Sequence, residues 1–283
     1  MSDNLGTIGL DIVAALAEKN CPRDNEYLDE ETGLLRCQIC GGPRQTTVQP
    51  FPDRPPRVVR CMCKCPTEED RRLEQERLDM IERRRRACFK GTDMQDWCFA
   101  NDDRKRPELS DAAARYAEQF DTHLRNNQGL LYYGPVGTGK TYLAACIANA
   151  VVDRGYSARM ANFTTIANTL WDAEYKDVFM AELRGYDLLI LDDLGAERKS
   201  EYMQEIVYNV IEDRNRAGKP VIITTNLTAD ELAKTEEMGY SRIYDRLLQR
   251  CLPIKVEGQS RRRQAAGQAW GNMRKQLGLE GAT

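Results

Sequence analysis

The spacing of apolar and polar residues divides the chain into segments of different character. Residues 8–19 carry apolar residues at helical spacing and predict a short amphipathic helix. Residues 21–66 are rich in cysteine and proline, which favours a loop-rich fold with small strands. Residues 67–87 begin with a threonine and acids that suit a helix start, and continue with one thin apolar stripe. They predict a long polar helix that connects two domains.

From about residue 88 the chain has the pattern of an α/β domain. Short apolar runs predict strands at 130–133, 157–160, 186–191, 220–225 and 253–256. Helices are predicted at 140–153 and 201–216. Strands that alternate with helices imply a mostly parallel sheet between two helical layers. The predicted fold class is therefore α/β, a three-layer domain preceded by a small loop-rich domain.

Composition and charge agree with an ordinary soluble protein of one or two domains. The 283 residues are 41% hydrophobic and 30% charged, with a net charge of -3, so bulk charge does not indicate nucleic-acid binding. No apolar run approaches the roughly 20 residues that span a bilayer, and the start lacks the pattern of a signal peptide. We expect a cytoplasmic protein with no membrane partner. The expected parts are a cysteine-rich domain at 1–66, a helical linker at 67–89 and the α/β domain at 90–283.

A glycine-rich loop follows the strand predicted at 130–133. It consists of Gly134, Pro135, Val136, Gly137, Thr138, Gly139, Lys140 and Thr141. Its glycines let backbone N–H groups turn toward phosphate oxygens, and the helix that follows adds its positive end. Lys140 is expected to reach the β- and γ-phosphates of ATP, and the Thr141 hydroxyl to bind Mg²⁺. The position between a strand and a helix favours a nucleotide site over a chance match.

Polar residues end the next two apolar strands. Asp192 and Asp193 close the run 188–191, where Asp192 is expected to hold Mg²⁺, mainly through water, and Asp193 to orient the attacking water. Asn226 ends the following strand and is the candidate sensor of the γ-phosphate. Taken alone, an asparagine after a strand is only a turn residue, so its role depends on the glycine-rich loop and the two acids.

Arginines late in the chain are candidate nucleotide contacts. Arg242 and Arg246 are four residues apart and would share one face of a helix. One of them, offered to the γ-phosphate of a neighbouring subunit, would act as an arginine finger in trans. The competing interpretation is a salt-bridged helix face. An arginine in the run that begins at Arg261 could sense nucleotide within its own subunit.

Several of these segments together resemble the DnaC/IstB group of AAA+ ATPases. The segments that carry the resemblance are 129–141, 187–197, 224–226, 241–247 and, upstream, 96–99. The resemblance covers about residues 90–266. The string Asp-Asp-Leu-Gly-Ala-Glu from Asp192 is more selective than the loop, which would fit any P-loop ATPase. The group implies an AAA+ core that lacks much of the usual helical lid.

The resemblance also assigns roles to individual residues. Arg246 matches the finger position best and Arg242 is second. Arg262 best matches the second sensor, with a register uncertainty of one because Arg261 to Arg263 are consecutive. Tyr142 stands where many members have histidine, a difference expected to matter little. The segment 96–99 matches the lead-in strap beside the adenine pocket.

The function that the resemblance implies is loading of a helicase during DNA replication. In such a loader the chain would bind ATP, assemble with copies of itself into a ring or spiral, contact single-stranded DNA and engage the replicative DNA helicase. Hydrolysis of ATP to ADP and phosphate would release the loader. The alternative is an IstB-like transposition helper that acts with a transposase on DNA. A third hypothesis, a non-catalytic module with structural nucleotide, is disfavoured by the intact Lys140, Asp192, Asp193 and Asn226.

Cysteines in the first quarter of the chain predict a metal site. Cys37 and Cys40 form a Cys-x-x-Cys knuckle before two glycines, and Cys61, Cys63 and Cys65 follow about 20 residues later. Four thiolates in two pairs meet the tetrahedral demand of structural Zn²⁺. The preferred set is Cys37, Cys40, Cys61 and Cys63, with Cys65 as a possible substitute and Cys21 as a further candidate. An iron–sulfur cluster, a redox pair and free thiols are the alternatives.

Overall fold

The computed structural model describes residues 25–49, 52, 55–66, 68–172, 176–195, 201–228, 230–231 and 238–277. The helix predicted at 8–19 and Cys21 lie outside the described residues. The chain forms two compact units, Met1–Glu76 and Arg77–Thr283. Helix α1 (Glu68–Cys88) contains the boundary between the two units.

The described residues of the first unit form two antiparallel strand pairs. Strand β1 (Glu26–Leu28) pairs with β2 (Leu35–Cys37), and β3 (Gln45–Val48) pairs with β4 (Arg57–Arg60). A polar contact links the two pairs, since Arg60 donates from Nη1 to Glu26 Oε1 at 3.1 Å, where Glu26 is only 7% exposed. Among the described residues of this unit, the buried apolar side chains are Leu35 and Cys37, and a core this small is commonly reinforced by a structural metal.

The second unit contains one five-stranded parallel sheet. Its strands are β5 (Gly129–Tyr133), β6 (Ala158–Asn162), β7 (Leu188–Leu194), β8 (Val221–Thr225) and β9 (Cys251–Lys255). Their order across the sheet is β6-β7-β8-β5-β9. Because every described pair in this sheet is parallel, the carboxyl ends of β5, β7 and β8 meet at one edge. That edge carries the candidate site.

Helices cover both faces of this sheet. They are α2 (Pro107–Glu118), α3 (Phe120–Asn126), α4 (Lys140–Asp153), α5 (Phe163–Asp172), α6 (Lys176–Gly185), α7 (Glu201–Arg216), α8 (Met238–Arg250) and α9 (Arg261–Gln276). Alternate residues of a strand enter opposite cores: Leu188 and Ile190 pack on the side of α2 and α4, while Leu189 and Leu191 pack on the side of α5 and α7. The predicted α/β three-layer fold is confirmed.

A buried arginine fixes the starts of the two strands that carry the acids and the sensor. Arg214 on α7 is 1% exposed and donates to the carbonyls of Tyr186, at 2.6 Å, and Pro220, at 2.9 Å. These carbonyls lie just before β7 and β8. The five donors of the guanidinium therefore satisfy backbone groups that would otherwise be buried without partners.

The predicted elements of the second unit agree closely with the observed ones. The helices predicted at 140–153 and 201–216 have those bounds in the structure, and the predicted strands differ from the observed ones by up to three residues at an end. Among the described helices, none has the length and apolar character needed to cross a lipid bilayer.

Candidate nucleotide site

The loop between β5 and α4 has the backbone shape of a phosphate cradle. Gly134, Gly137 and Gly139 all have positive φ, at 128°, 82° and 106°. A Cβ on Gly137 would lie 2.2 Å from Ser260 Oγ, and one on Gly134 would lie 2.6 Å from the Val256 carbonyl oxygen. Glycine is therefore required both by the backbone conformation and by the close approach of neighbouring chain.

Lys140 lies at the start of α4 with its ammonium group beneath the loop. It is 4% exposed, and Nζ donates to the carbonyls of Gly134, at 2.8 Å, and Pro135, at 2.7 Å. Lys140 Nζ donates a third hydrogen bond, at 2.8 Å, to Asn226 Oδ1 just after β8. Burial lowers the pKa of Lys140, against the opposing effect of Asp193 and Asp192, and Arg262 lowers it further. An anionic ligand would stabilise the charged form of this lysine.

The predicted magnesium residues converge at the edge of the sheet. Asp192 Oδ1 accepts hydrogen bonds from Thr141 Oγ1 at 2.9 Å and from Thr224 Oγ1 at 2.6 Å. Burial raises the pKa of Asp192 above its ordinary value, although the hydrogen bond from Thr224 opposes this. A hydroxyl and a carboxylate are the oxygen donors that Mg²⁺ prefers, and a divalent cation here would favour the ionised carboxylate.

A bulge in β7 turns Asp193 toward the sensor strand. The pairing of β7 with β8 shifts register between Leu191 and Leu194, and Asp193 has a φ of 58°. Aspartate tolerates this left-handed conformation better than most residues. The Asp193 amide donates to Thr224 Oγ1 at 2.9 Å, and Asn226 Nδ2 donates to Asp193 Oδ1 at 3.3 Å. Asn226 thus bridges Lys140 and Asp193, which places the three predicted residues in one network.

A second group of residues holds the strap, here residues 89–106 between α1 and α2, and the sequence analysis identified only its part at 96–99. Asn149 on α4 is 3% exposed and donates from Nδ2 to the carbonyls of Trp97, at 2.8 Å, and Met94, at 3.1 Å. Tyr142 donates from its hydroxyl to the Cys98 carbonyl at 2.8 Å, and its ring centroid lies 5.5 Å from that of Trp97. The tyrosine expected to matter little therefore helps to fix the strap against the helix that follows the loop.

The start of α9 is also attached to the glycine-rich loop. The Arg261 amide donates to the Gly137 carbonyl at 2.9 Å, and Ser260 caps α9 by accepting from the Arg263 amide at 3.3 Å. The Arg261 side chain pairs with Asp103 at 3.1 Å, on the strap side of the site. Arg262 lies on the cavity wall and affects the pKa of Lys140. Arg261 and Arg262 both line the cavity, and Arg261 Cζ would lie 3.4 Å from a Cβ on Gly139, so the assignment of the second sensor to Arg262 stays a prediction.

Strap, loop, acids and α9 together enclose a cavity of about 500 Å³. Met94, Trp97 and Tyr142 line one part of it, and the phosphate-loop and acidic residues line another. An apolar and aromatic end beside a cationic, hydrogen-bonding end suits a nucleotide, whose base is flat and whose phosphates are charged. The cradle, the buried lysine and the oxygen donors fit ATP and Mg²⁺ together.

Comparison with known families agrees with this geometry. The family described as IstB-like ATP binding protein matches residues 69–269, which is more than half of the chain. The chain belongs to the IstB-like ATP-binding protein family. The resemblance drawn from the sequence motifs is therefore confirmed.

Relatives of this IstB-like protein include helicase loaders and insertion-sequence proteins. The replicative helicase loader DnaI of Bacillus subtilis (strain 168) is 28% identical over 149 residues, covering 48% of each chain. The replicative helicase loader DnaC of Escherichia coli (strain K12) is 28% identical over 140 residues, covering 48% of this chain and 55% of DnaC. An insertion-sequence ATP-binding protein of Mycobacterium tuberculosis is 29% identical over 162 residues, covering 56% of this chain and 62% of that protein.

These matches are partial in length. The IstB-like protein spans about half the length of the two curated loaders that it matches. The crystal structure of DnaI aligns with a TM-score of 0.53 at 24% identity, covering 63% of this chain and 99% of that chain. At that identity the likeness supports the fold alone.

The two candidate finger arginines of the IstB-like protein differ in their surroundings. Arg246 on α8 forms an ion pair with Glu212, and its guanidinium lies 5.6 Å from the ring centre of Tyr208. Arg242, one turn earlier, is exposed. Arg246 would have to leave an ion pair to reach a neighbouring subunit, whereas Arg242 already points to solvent. The assignment of the finger stays a prediction.

Four cysteines of the first unit converge, and one of them differs from the set preferred in the sequence analysis. The sulfur atoms of Cys37, Cys40, Cys63 and Cys65 all lie within 4.8 Å of one another. Cys61 is directed elsewhere, since its Sγ donates to the Pro43 carbonyl at 3.4 Å. The preferred assignment of Cys61 is therefore corrected in favour of Cys65, which had been the substitute.

The knuckle around Cys37 explains why the sulfur atoms converge. The Gly41 amide donates to the Cys37 carbonyl, and the Cys37 amide to the Gly42 carbonyl, each at 2.9 Å. Backbone N–H groups of Cys40 and Ile39 lower the pKa of the Cys37 thiol. The Cys37 and Cys65 sulfur atoms are 3.7 Å apart. A tetrahedral zinc site with Zn–S bonds of 2.3 Å requires sulfur atoms roughly 3.8 Å apart, so the cluster fits Zn²⁺.

Proposed function

We propose that this protein is an ATP-dependent loader that delivers the replicative DNA helicase onto single-stranded DNA. The network of Lys140, Asn226 and Asp193 carries the enzymatic part of the proposal, because it joins the phosphate loop to the residue that would orient water. The loading part is supported by the relatives DnaI and DnaC, whose names state that activity.

The loop and the two acids divide the work of ATP hydrolysis. Backbone amides of the loop and Lys140 Nζ would hold the phosphate oxygens, and Arg262 would contact them from α9. Thr141 Oγ1 and Asp192, the latter mainly through water, would hold Mg²⁺, which would supply positive charge beside the phosphates. Asp193 would accept a hydrogen bond from the attacking water and align it, while Asn226, which donates to Asp193, would also contact the terminal phosphate.

Assembly with copies of the same chain would complete each site. An arginine from α8, Arg246 or Arg242, would reach the γ-phosphate bound by a neighbour and stabilise the transition state. Hydrolysis would then depend on protein concentration, because an isolated subunit lacks this cation. A ring or spiral assembly would also present similar faces to single-stranded DNA.

The cysteine-rich unit would hold Zn²⁺ and dock on the helicase. Four thiolates from Cys37, Cys40, Cys63 and Cys65 satisfy a closed structural site, which leaves no open position for a reaction. The metal would reinforce a unit of two short strand pairs. This separates the two roles: the first unit recognises the helicase and the second unit binds ATP.

A pull-down tests the loading proposal. Tagged full-length protein would be mixed with the purified replicative helicase of the same organism, with ATP, with ADP and without nucleotide. Association that changes with nucleotide supports the loader. Failure to associate in all three conditions would contradict it.

A further inference from the structure

Helix α9 presents large apolar side chains to solvent. Trp270, Met273 and Leu277 are 67%, 57% and 60% exposed. At 100° per residue, Arg263, Trp270 and Arg274 fall within about 40° of one another around the helix axis. Met273 and Leu277 flank them on one side. Two cations and an exposed tryptophan therefore share one face of this helix.

The charge of α9 is opposite to that of the rest of the chain. The helix contains five basic residues and no aspartate or glutamate. Since the whole chain carries -3 and this helix +5, the remaining residues carry -8. No carboxylate on α9 would repel an approaching phosphate. The complementary ligand of this face is therefore anionic.

Two further features describe the surroundings of this face. The family match ends at residue 269, so Trp270 and Arg274 lie beyond it. The first turn of α9 is attached to the phosphate loop through the hydrogen bond from Arg261 to Gly137. A ligand on the exposed face would thus contact a helix whose start is hydrogen-bonded to the phosphate loop.

We propose that Arg263, Trp270 and Arg274 form a stacking site for single-stranded nucleic acid. The inference rests on the proposed function and adds two contacts, Trp270 and Arg274, that lie beyond the family match. The indole of Trp270 stacks on a base, and the two arginines bind the phosphates on either side. The residues Arg263 and Arg274 are eleven apart, so they are separated by about 16 Å along the helix.

The position of the cations favours nucleic acid over a lipid surface. A helix that lies in a membrane interface keeps its lysines and arginines on the face opposite its apolar residues. On α9, Arg263 and Arg274 instead share the face of Trp270. Aromatic side chains interleaved with cations are the usual arrangement at sites that bind single strands without sequence preference.

Fluorescence anisotropy of a labelled oligo-dT, with the full chain and ATP, tests this site. Trp270→Ala should weaken binding by about 5- to 100-fold, and Trp270→Phe should retain most of it, because a phenyl ring still stacks. Trp171→Ala is the matched control, since Trp171 is 73% exposed but lies on α5. Arg274→Gln should reduce the slope of log K against log salt by about 0.7.

The outcomes separate the site from the function on which it rests. If the wild-type protein binds oligo-dT and Trp270→Ala binds as tightly as Trp171→Ala, the stacking site is wrong and the loader proposal stands. If the wild-type protein does not bind oligo-dT with ATP or without it, delivery onto single-stranded DNA fails as well. A Trp270→Ala effect confined to sedimentation or to anionic vesicle binding would show that the face serves a second copy or a membrane, and would also overturn the site.

Discussion

Replacing Gly137 by alanine should loosen the attachment of α9 to the phosphate loop. Gly137 has a φ of 82°, and an added Cβ would lie 2.2 Å from Ser260 Oγ and 2.9 Å from Ser260 Cβ. Ser260 must then move away. Its movement would disturb the cap on the Arg263 amide and the hydrogen bond from Arg261 to the Gly137 carbonyl.

The magnitude follows from two costs. Alanine in the left-handed region costs about 1–2 kcal/mol. Loss of the serine cap costs about 1 kcal/mol more. The free energy of unfolding should therefore fall by about 2–3 kcal/mol, which lowers Tm by about 4–12 °C for a domain of this size. The affinity for ATP should fall as well, because the displaced loop amides no longer point together.

Thermal unfolding and ATP titration measure these two effects. Gly218→Ala is the matched control, because Gly218 has a φ of 63° and nothing within 4 Å of the added Cβ. Gly218→Ala should lose only the stability that the strained alanine backbone costs, and it should keep the wild-type affinity for ATP. Its Tm should be about 2–4 °C above that of Gly137→Ala. Adding Ser260→Gly should restore part of the Tm of Gly137→Ala. Equal Tm values for the two alanine variants, with no restoration, would refute the packing of Ser260 against the loop.

Three other predictions concern the chemistry and the metal. Asp193→Asn should leave ATP bound but stop turnover, which a nucleotide filter assay and phosphate release measure together; normal turnover would remove Asp193 from its role. Arg246→Ala and Arg242→Ala should be compared for ATPase activity over a range of protein concentrations. The arginine finger is the residue whose replacement abolishes the rise of specific ATPase activity with protein concentration while the affinity for ATP is unchanged. Cys65→Ser should lose bound zinc by metal analysis whereas Cys61→Ser retains about one equivalent, and the reverse result would restore the earlier ligand set.

The sequence alone was sufficient to place those elements and site residues whose pattern lies in consecutive residues. The strand–loop–helix order around Lys140 and the acids after 188–191 could be placed because apolar runs, glycines and polar strand ends are adjacent in sequence. Parallel strands then bring Asn226 to the same edge without further information. The helix at 201–216 was equally clear, since its apolar residues recur at helical spacing over four turns.

Residues whose partners are distant in sequence could not be predicted. Asn149 looks like an ordinary helix-interior residue until the strap carbonyls are placed beside it. Arg261 and Arg262 differ by 100° around α9, and only the position of Asp103 shows that the Arg261 side chain forms an ion pair with the strap. The choice between Cys61 and Cys65 depends on the path of the backbone past Pro43, which the spacing of the cysteines does not determine.

The central claim is that the loop and Lys140 hold a triphosphate with Mg²⁺. Isothermal titration of ATP and Mg²⁺ into folded full-length protein tests it most directly, with Lys140→Ala as the matched variant. The account predicts a saturable heat with one site per chain for the wild-type protein and no measurable binding for Lys140→Ala. Absence of binding to the wild-type protein, or equal affinity in the variant, would contradict it.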